Sequence, residues 1–176
     1  MREILFRGKP KYKGDFHFFS QIWKDNCKDG FVYGSLVVSG NKYYICVSAL
    51  CQINSCINNG MTSMIEVIPS TIGQYTGLTD KNGTKIFEGD IIRYTRTNMY
   101  APSCSFHKQD LVSIHLVLWD SSVSAFVQQH HSLNEKRIVG KGSAVLYDDR
   151  AKENIVEVIG NIHDNPELLE SEVQGE

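Results

Sequence analysis

The sequence predicts a mainly β protein, α+β at most. An irregular, mostly β lobe is expected over residues 1–69, followed over residues 70–176 by an SH3-like small β-barrel with a short C-terminal helix. Three observations carry this. Short runs rich in β-branched and aromatic residues recur along the chain. Turns of Gly, Asn and Asp separate them, as in small barrels and sandwiches. The strand–helix alternation that a parallel sheet requires is absent.

Each element has a local cause. Phe31–Val38 and Lys42–Val47 are two extended runs, and Ser39-Gly40-Asn41 between them is a good hairpin connection. Ile72–Leu78 and Thr84–Phe87 flank Asp80-Lys81-Asn82-Gly83, where Asn-Gly suits the paired positive φ angles of a type I′ turn. Glu88-Gly89-Asp90 forms a further turn into the strand Ile91–Tyr94, whose Ile91 is expected in the core. Residues 95–110 read as a long loop. A third hairpin joins Val112–Trp119 to Ala125–Gln128 across Asp120-Ser121-Ser122, and Ile155–Ile159 is the last strand.

Two helices are also expected. Asn165 is placed to cap a short one, with Pro166 at its first position and Glu167 in its first turn. Ala49, Leu50, Ile53 and Ile57 form a helical stripe within residues 48–60.

Composition narrows the class. The chain has 176 residues, of which 41% are hydrophobic and 22% charged, with a net charge of −2. That is too apolar for intrinsic disorder and too neutral for a histone-like polycation. No apolar run approaches the ~18 residues of a membrane span. The opening, Met1–Arg7, lacks a secretory signal's apolar stretch. Five cysteines (Cys27, Cys46, Cys51, Cys56 and Cys104) are an odd number for a disulfide framework and imply reduced thiols. The five-residue steps from Cys46 to Cys56 do not match the spacing of zinc ligands, so inert, buried cysteines are expected.

Residues 71–94 are more specific than any composition. Thr71-Ile72-Gly73-Gln74-Tyr75-Thr76-Gly77-Leu78-Thr79-Asp80-Lys81-Asn82-Gly83 continues into Thr84-Lys85-Ile86-Phe87-Glu88-Gly89-Asp90-Ile91-Ile92-Arg93-Tyr94. This resembles the signature of the YopX-like proteins of phages and prophages. Arg2-Glu3-Ile4, Phe6-Arg7-Gly8, Val32-Tyr33-Gly34, Val156–Ile162 and Asn165–Leu169 follow in the family's order. Segments 48–64 and 96–112 depart from the pattern and look longer than usual. The resemblance implies a phage or prophage origin, hence the cytoplasm of a bacterial host, and a mostly β fold whose second half is SH3-like. It supplies no catalytic residue, because the family's own function is unknown. In physical terms the motif reads as fold-specifying, with glycines where strands turn or approach closely.

Several short motifs resemble chemical sites and depart from them in spacing or order. Gly77–Lys85 has a phosphate loop's glycines, but Thr84 precedes Lys85 and a strand follows. Gly140-Lys141-Gly142-Ser143 lacks the first glycine of such a loop. Asp80–Gly83 opens like a calcium loop, but Ile91 stands where the bidentate Glu belongs. His130-His131 would point to opposite faces of a strand. A Cys104–His107 pair is a generic nucleophile–base combination, and Asp148-Asp149 beside Arg150 suits a solvated turn. No catalytic residue, metal ligand or cofactor is assigned.

Charge is segregated. Residues 1–96 hold 12 Lys+Arg against 8 Asp+Glu, and residues 97–176 hold 6 against 12. Lys81, Lys85, Arg93 and Arg96, with Tyr75 and Tyr94 nearby, have the composition of a strand surface that holds single-stranded nucleic acid. The same cations also suit ordinary protection of sheet edges. The expectation is therefore a non-enzymatic binding module, with a protein partner or a second copy first, nucleic acid second and no membrane.

Overall fold

The computed structural model describes residues 3–11, 27–49, 61–97, 110–130, 144–145 and 156–169. They form twelve strands: β1 (Phe6–Gly8), β2 (Cys27–Lys28), β3 (Phe31–Ser39), β4 (Lys42–Ala49), β5 (Met61–Glu66), β6 (Gly73–Thr79), β7 (Lys85–Phe87), β8 (Asp90–Thr97), β9 (Asp110–Asp120), β10 (Ala125–His130), β11 (Ala144–Val145) and β12 (Val156–Asn161). The ladders among these described strands are antiparallel. The protein is mainly β. No described helix is long and apolar enough to cross a membrane. The chain divides into two compact units, Met1–Tyr75 and Thr76–Glu176.

In the first unit the strands run β5-β4-β3-β1-β6, with β2 also on β3. Gly40 alone has positive φ (+58°) in the two-residue β3–β4 connection, the pattern of a type II′ turn. Directly opposed residues share a face, so Leu36, Ile45 and Ile65 line up across three strands. With Val32, Val47, Val67 and Phe6 they build this unit's core. Gly34 lets β3 pass close to β4: a Cβ there would lie 2.0 Å from the Cys46 carbonyl oxygen. Past the end of β1, Pro10 bridges to Val67, and Lys11 N–H donates to Glu66 O at 2.9 Å. Ser48 and Ala49 belong to β4. The rest of the helix expected over 48–60 lies outside the described residues.

In the second unit the sheet order is β11-β10-β9-β8-β12. Ile92, Val117 and Val156 face one way and enclose Ile86 of β7, with Leu78, Tyr94 and Val158 around them. The 80–84 turn is not type I′. Only Gly83 has positive φ (+80°), and Asp80 supplies the reason. Gly83 N–H donates to Asp80 O (3.0 Å) and Asp80 N–H to Thr84 O (2.8 Å), while Asp80 Oδ1 accepts from Asn82 and Thr84 N–H. This is a type I turn closed by a left-handed glycine. At the next turn Gly89 has φ +82°, and buried Asp90 accepts from Phe87 N–H at 2.8 Å.

No closed barrel forms among the described residues, whose ladder ends at β11 on one side and β12 on the other. The 80–84 turn meets β12 instead: Lys81 N–H donates to Val156 O and Val158 N–H to Asp80 Oδ2, both at 3.0 Å. Gly160 does not end β12, which continues to Asn161 through a bulge between Val158 and Gly160. Of the expected C-terminal helix, the described part is one 3-10 turn, Pro166–Leu169. There Asn165 Oδ1 accepts from Asn161 N–H (3.4 Å), and Asn165 O from Leu168 N–H (3.1 Å). The expected long loop is shorter at both ends, since β8 reaches Thr97 and β9 begins at Asp110; residues 98–109 lie outside the described residues.

Candidate binding surfaces

The four cations singled out by sequence are not equivalent. Arg93 on β8 stands opposite Glu157 on β12. Glu157 Oε2 accepts from Arg93 Nη2 at 2.6 Å and lies 2.9 Å from Lys81 Nζ. The Arg93 guanidinium, followed by the Lys81 ammonium, holds the Glu157 carboxyl down at about 2. Lys85 on β7 takes no part in these ion pairs. Arg96 lies opposite Leu111, and its side chain is outside the described residues.

The aromatic half of the expected nucleic-acid surface is missing. Tyr75 is buried. Tyr94 packs against the core and meets the His115 ring edge-on at 5.9 Å. Both rings are thus engaged by packing, where base stacking needs a free ring face. This is invisible at the level of sequence, because a tyrosine on a strand has equal access to either face until the register is known.

Large apolar side chains are exposed in both units, Ile4, Val38, Met64 and Ile68 in the first and Val112, Trp119 and Val123 in the second. Strand β9 carries Val112, Ile114, Leu116 and Leu118 on the face that also holds Ile91 and Val127, while His115 and Val117 face the core. Ile91 and Val127 are buried too, so the sheet is apolar on both faces, unlike one packed on one side and solvated on the other. At the β9–β10 hairpin Trp119 remains 46% exposed and Val123 54% exposed. Trp119 packs edge-on against Phe126, its cross-strand partner, with ring centroids 5.0 Å apart. The turn is stiffened by Asp120 Oδ1, which accepts from Ser122 N–H (2.8 Å) and Ser122 O–H (2.6 Å), and by Ser124 at φ +51°. A half-exposed tryptophan on a braced turn is the kind of anchor that dominates protein interfaces. Val112, also exposed, is at the other end of β9, roughly 24 Å away at ordinary strand rise.

One polar pair was missed by the sequence reading. Ser113 Oγ and His115 Nε2 share a 2.8 Å hydrogen bond, since positions two apart on a strand share a face. A Ser-x-His spacing on a β run was the available signal. The distance suits a nucleophile and its base, but His115 is buried beside Tyr94, where the bond satisfies its Nε2 and leaves its buried Nδ1 without a hydrogen bond among the described residues. Among the cysteines, Cys27 and Cys46 are half-buried and free, and burial pushes the Cys27 thiol up, away from the reactive thiolate. Cys51, Cys56, Cys104, His107 and His131 lie outside the described residues. Among the described residues no group of three or more His, Cys, Asp or Glu is placed to hold a metal ion.

Comparison with known proteins gives a family and similar solved structures. The family model described as YopX protein matches residues 23–170. No curated protein matches the chain. The crystal structure of protein EF1440 from Enterococcus faecalis is similar at 20% identity and a TM-score of 0.45, over 96% of this chain and 99% of that one.

Proposed function

Since the chain belongs to the YopX protein family, we propose that it is a phage or prophage accessory protein. In this reading it is a non-enzymatic binding module that works through association with a protein partner or with itself. The observation that carries the reading is the half-exposed Trp119 beside exposed Val123 on the braced β9–β10 turn. Burying an exposed apolar side chain stabilises a complex by roughly 1.5–3 kcal/mol, and two neighbouring ones make a small anchor. The second unit is read as SH3-like, and its host compartment as the bacterial cytoplasm. Sedimentation across a concentration series tests the surface. Trp119→Ser and Val123→Ser should each lower association, Val123→Ser with the melting temperature close to wild type and Trp119→Ser with a modest drop from the lost contact with Phe126. Unchanged association in both variants counts against this surface.

A second reading, nucleic-acid binding, is favoured by the convergence of Lys81 and Arg93 on one point, with Lys85 and Arg96 as further candidate contacts. Phosphate contacts make affinity fall steeply with salt. Absence of binding to DNA or RNA at about 50 mM salt would remove this reading.

A further inference from the structure

We infer that Lys81 and Arg93 form a binding site for a phosphate group, and that Glu157 occupies this site in the free protein as a built-in competitor. The inference rests on the nucleic-acid reading and gives it a site and a restraint. A single carboxylate oxygen, Glu157 Oε2, serves both cations, at 2.6 Å from Arg93 Nη2 and 2.9 Å from Lys81 Nζ.

The backbone fixes this convergence. Arg93 and Glu157 are direct cross-strand partners, and Lys81 is tied to β12 by its own N–H on Val156 O. Among the described residues, two cations on one carboxylate leave one positive charge uncompensated. A backbone phosphodiester carries one negative charge, as Glu157 does, but gives each nitrogen its own oxygen, whereas Glu157 offers one shared oxygen. Access is open, because the Lys81, Arg93 and Glu157 side chains are 36%, 46% and 24% exposed. The lowered Glu157 carboxyl agrees with a negative charge held between these cations.

Fluorescence anisotropy of the full chain with labelled single-stranded DNA at about 50 mM salt tests the inference. Glu157→Gln should bind at least about tenfold more tightly than wild type, the scale of one charge-assisted contact. The gain should vanish in Arg93→Gln/Glu157→Gln and in Lys81→Gln/Glu157→Gln. Glu167→Gln changes net charge equally on an exposed residue of the Pro166–Leu169 turn and should give no gain. Glu157→Asp keeps the charge but draws the oxygen back, and should show a smaller gain even if Glu157→Gln folds poorly.

The inference is overturned by no gain in either Glu157 variant, by a gain that survives loss of Arg93 and of Lys81, or by an equal gain in Glu167→Gln. Inorganic phosphate as competitor separates the sources. Displacement beyond that caused by sodium chloride of equal ionic strength assigns the site to free phosphate, and equal displacement assigns it to the nucleic-acid backbone. If wild type binds DNA and Glu157→Gln binds no better, the competitor falls and the nucleic-acid reading stands. If no variant binds, both fall.

Discussion

Gly34→Ala should destabilise the first unit more than any other single methyl added at a glycine of the β3–β4 hairpin. The new Cβ would lie 2.0 Å from the Cys46 carbonyl oxygen, 2.9 Å from its carbon and 3.0 Å from Ile45 Cγ2. Carbon–oxygen contacts in sheets normally lie near 3.3–3.6 Å, so β4 would have to retreat by roughly 1.3 Å. The obstacle is main chain, which no rotamer change relieves. The retreat occurs beside the Ser35↔Cys46 pair and strains the ladder on either side. Overpacking of this kind costs roughly 1–3 kcal/mol, and weakening one or two ladder hydrogen bonds adds about 0.5–1.5 kcal/mol each. A total near 2 kcal/mol or more lowers the melting temperature of a unit this size by at least about 8 °C. Gly40→Ala is the control: nothing lies within 4 Å of its Cβ, and the strain comes only from φ +58°, worth about 1–2 kcal/mol. Thermal unfolding followed by circular dichroism checks both. A Gly34→Ala protein that melts within a degree of wild type, or above Gly40→Ala, would refute the close-approach argument.

Other perturbations have equally definite outcomes. Ile91→Ala removes a side chain with no exposed surface and should cost about 2–5 kcal/mol in urea unfolding. Asp80→Ala strips the acceptors from Asn82, Thr84 and Val158 N–H. The cost should be about 1–3 kcal/mol for each buried donor left unsatisfied, and Asp80→Asn, which keeps one carbonyl oxygen, should lose less. Glu157 titrates near 2 when folded, below its ordinary value of 4.5. Its ion pairs therefore contribute stability fully above about pH 4.5, and the contribution is lost as pH falls toward about 2. Glu157→Gln should flatten the melting-temperature profile in that window, and high salt should flatten the wild-type profile too.

Much of the fold was legible because it is written in local chemistry. Hairpins at 39–42, 80–84 and 120–125 follow from turn residues, and Ile91, expected in the core, is fully buried. The errors have physical causes. Asn82-Gly83 suggested a type I′ turn, but the Asp80 carboxylate draws three backbone donors to itself and only Gly83 turns left-handed. Gly160 looked like a terminator, yet a bulge carries β12 past it. Of the candidate site, the cations were legible and their partner was not. Lys81 and Arg93 meet Glu157 only because β8 and β12, far apart in sequence, pair in this register. Tyr94 looked available for stacking until the same register turned it to the core.

Molar mass by light scattering behind a sizing column, over rising protein concentration, bears most directly on the proposed association. The mass should climb above the 19.9 kDa of one chain, with Trp119→Ser shifted toward that value at every concentration. A wild-type protein that stays at the mass of one chain throughout, and matches Trp119→Ser, would contradict the proposal that this chain associates through its β9–β10 surface.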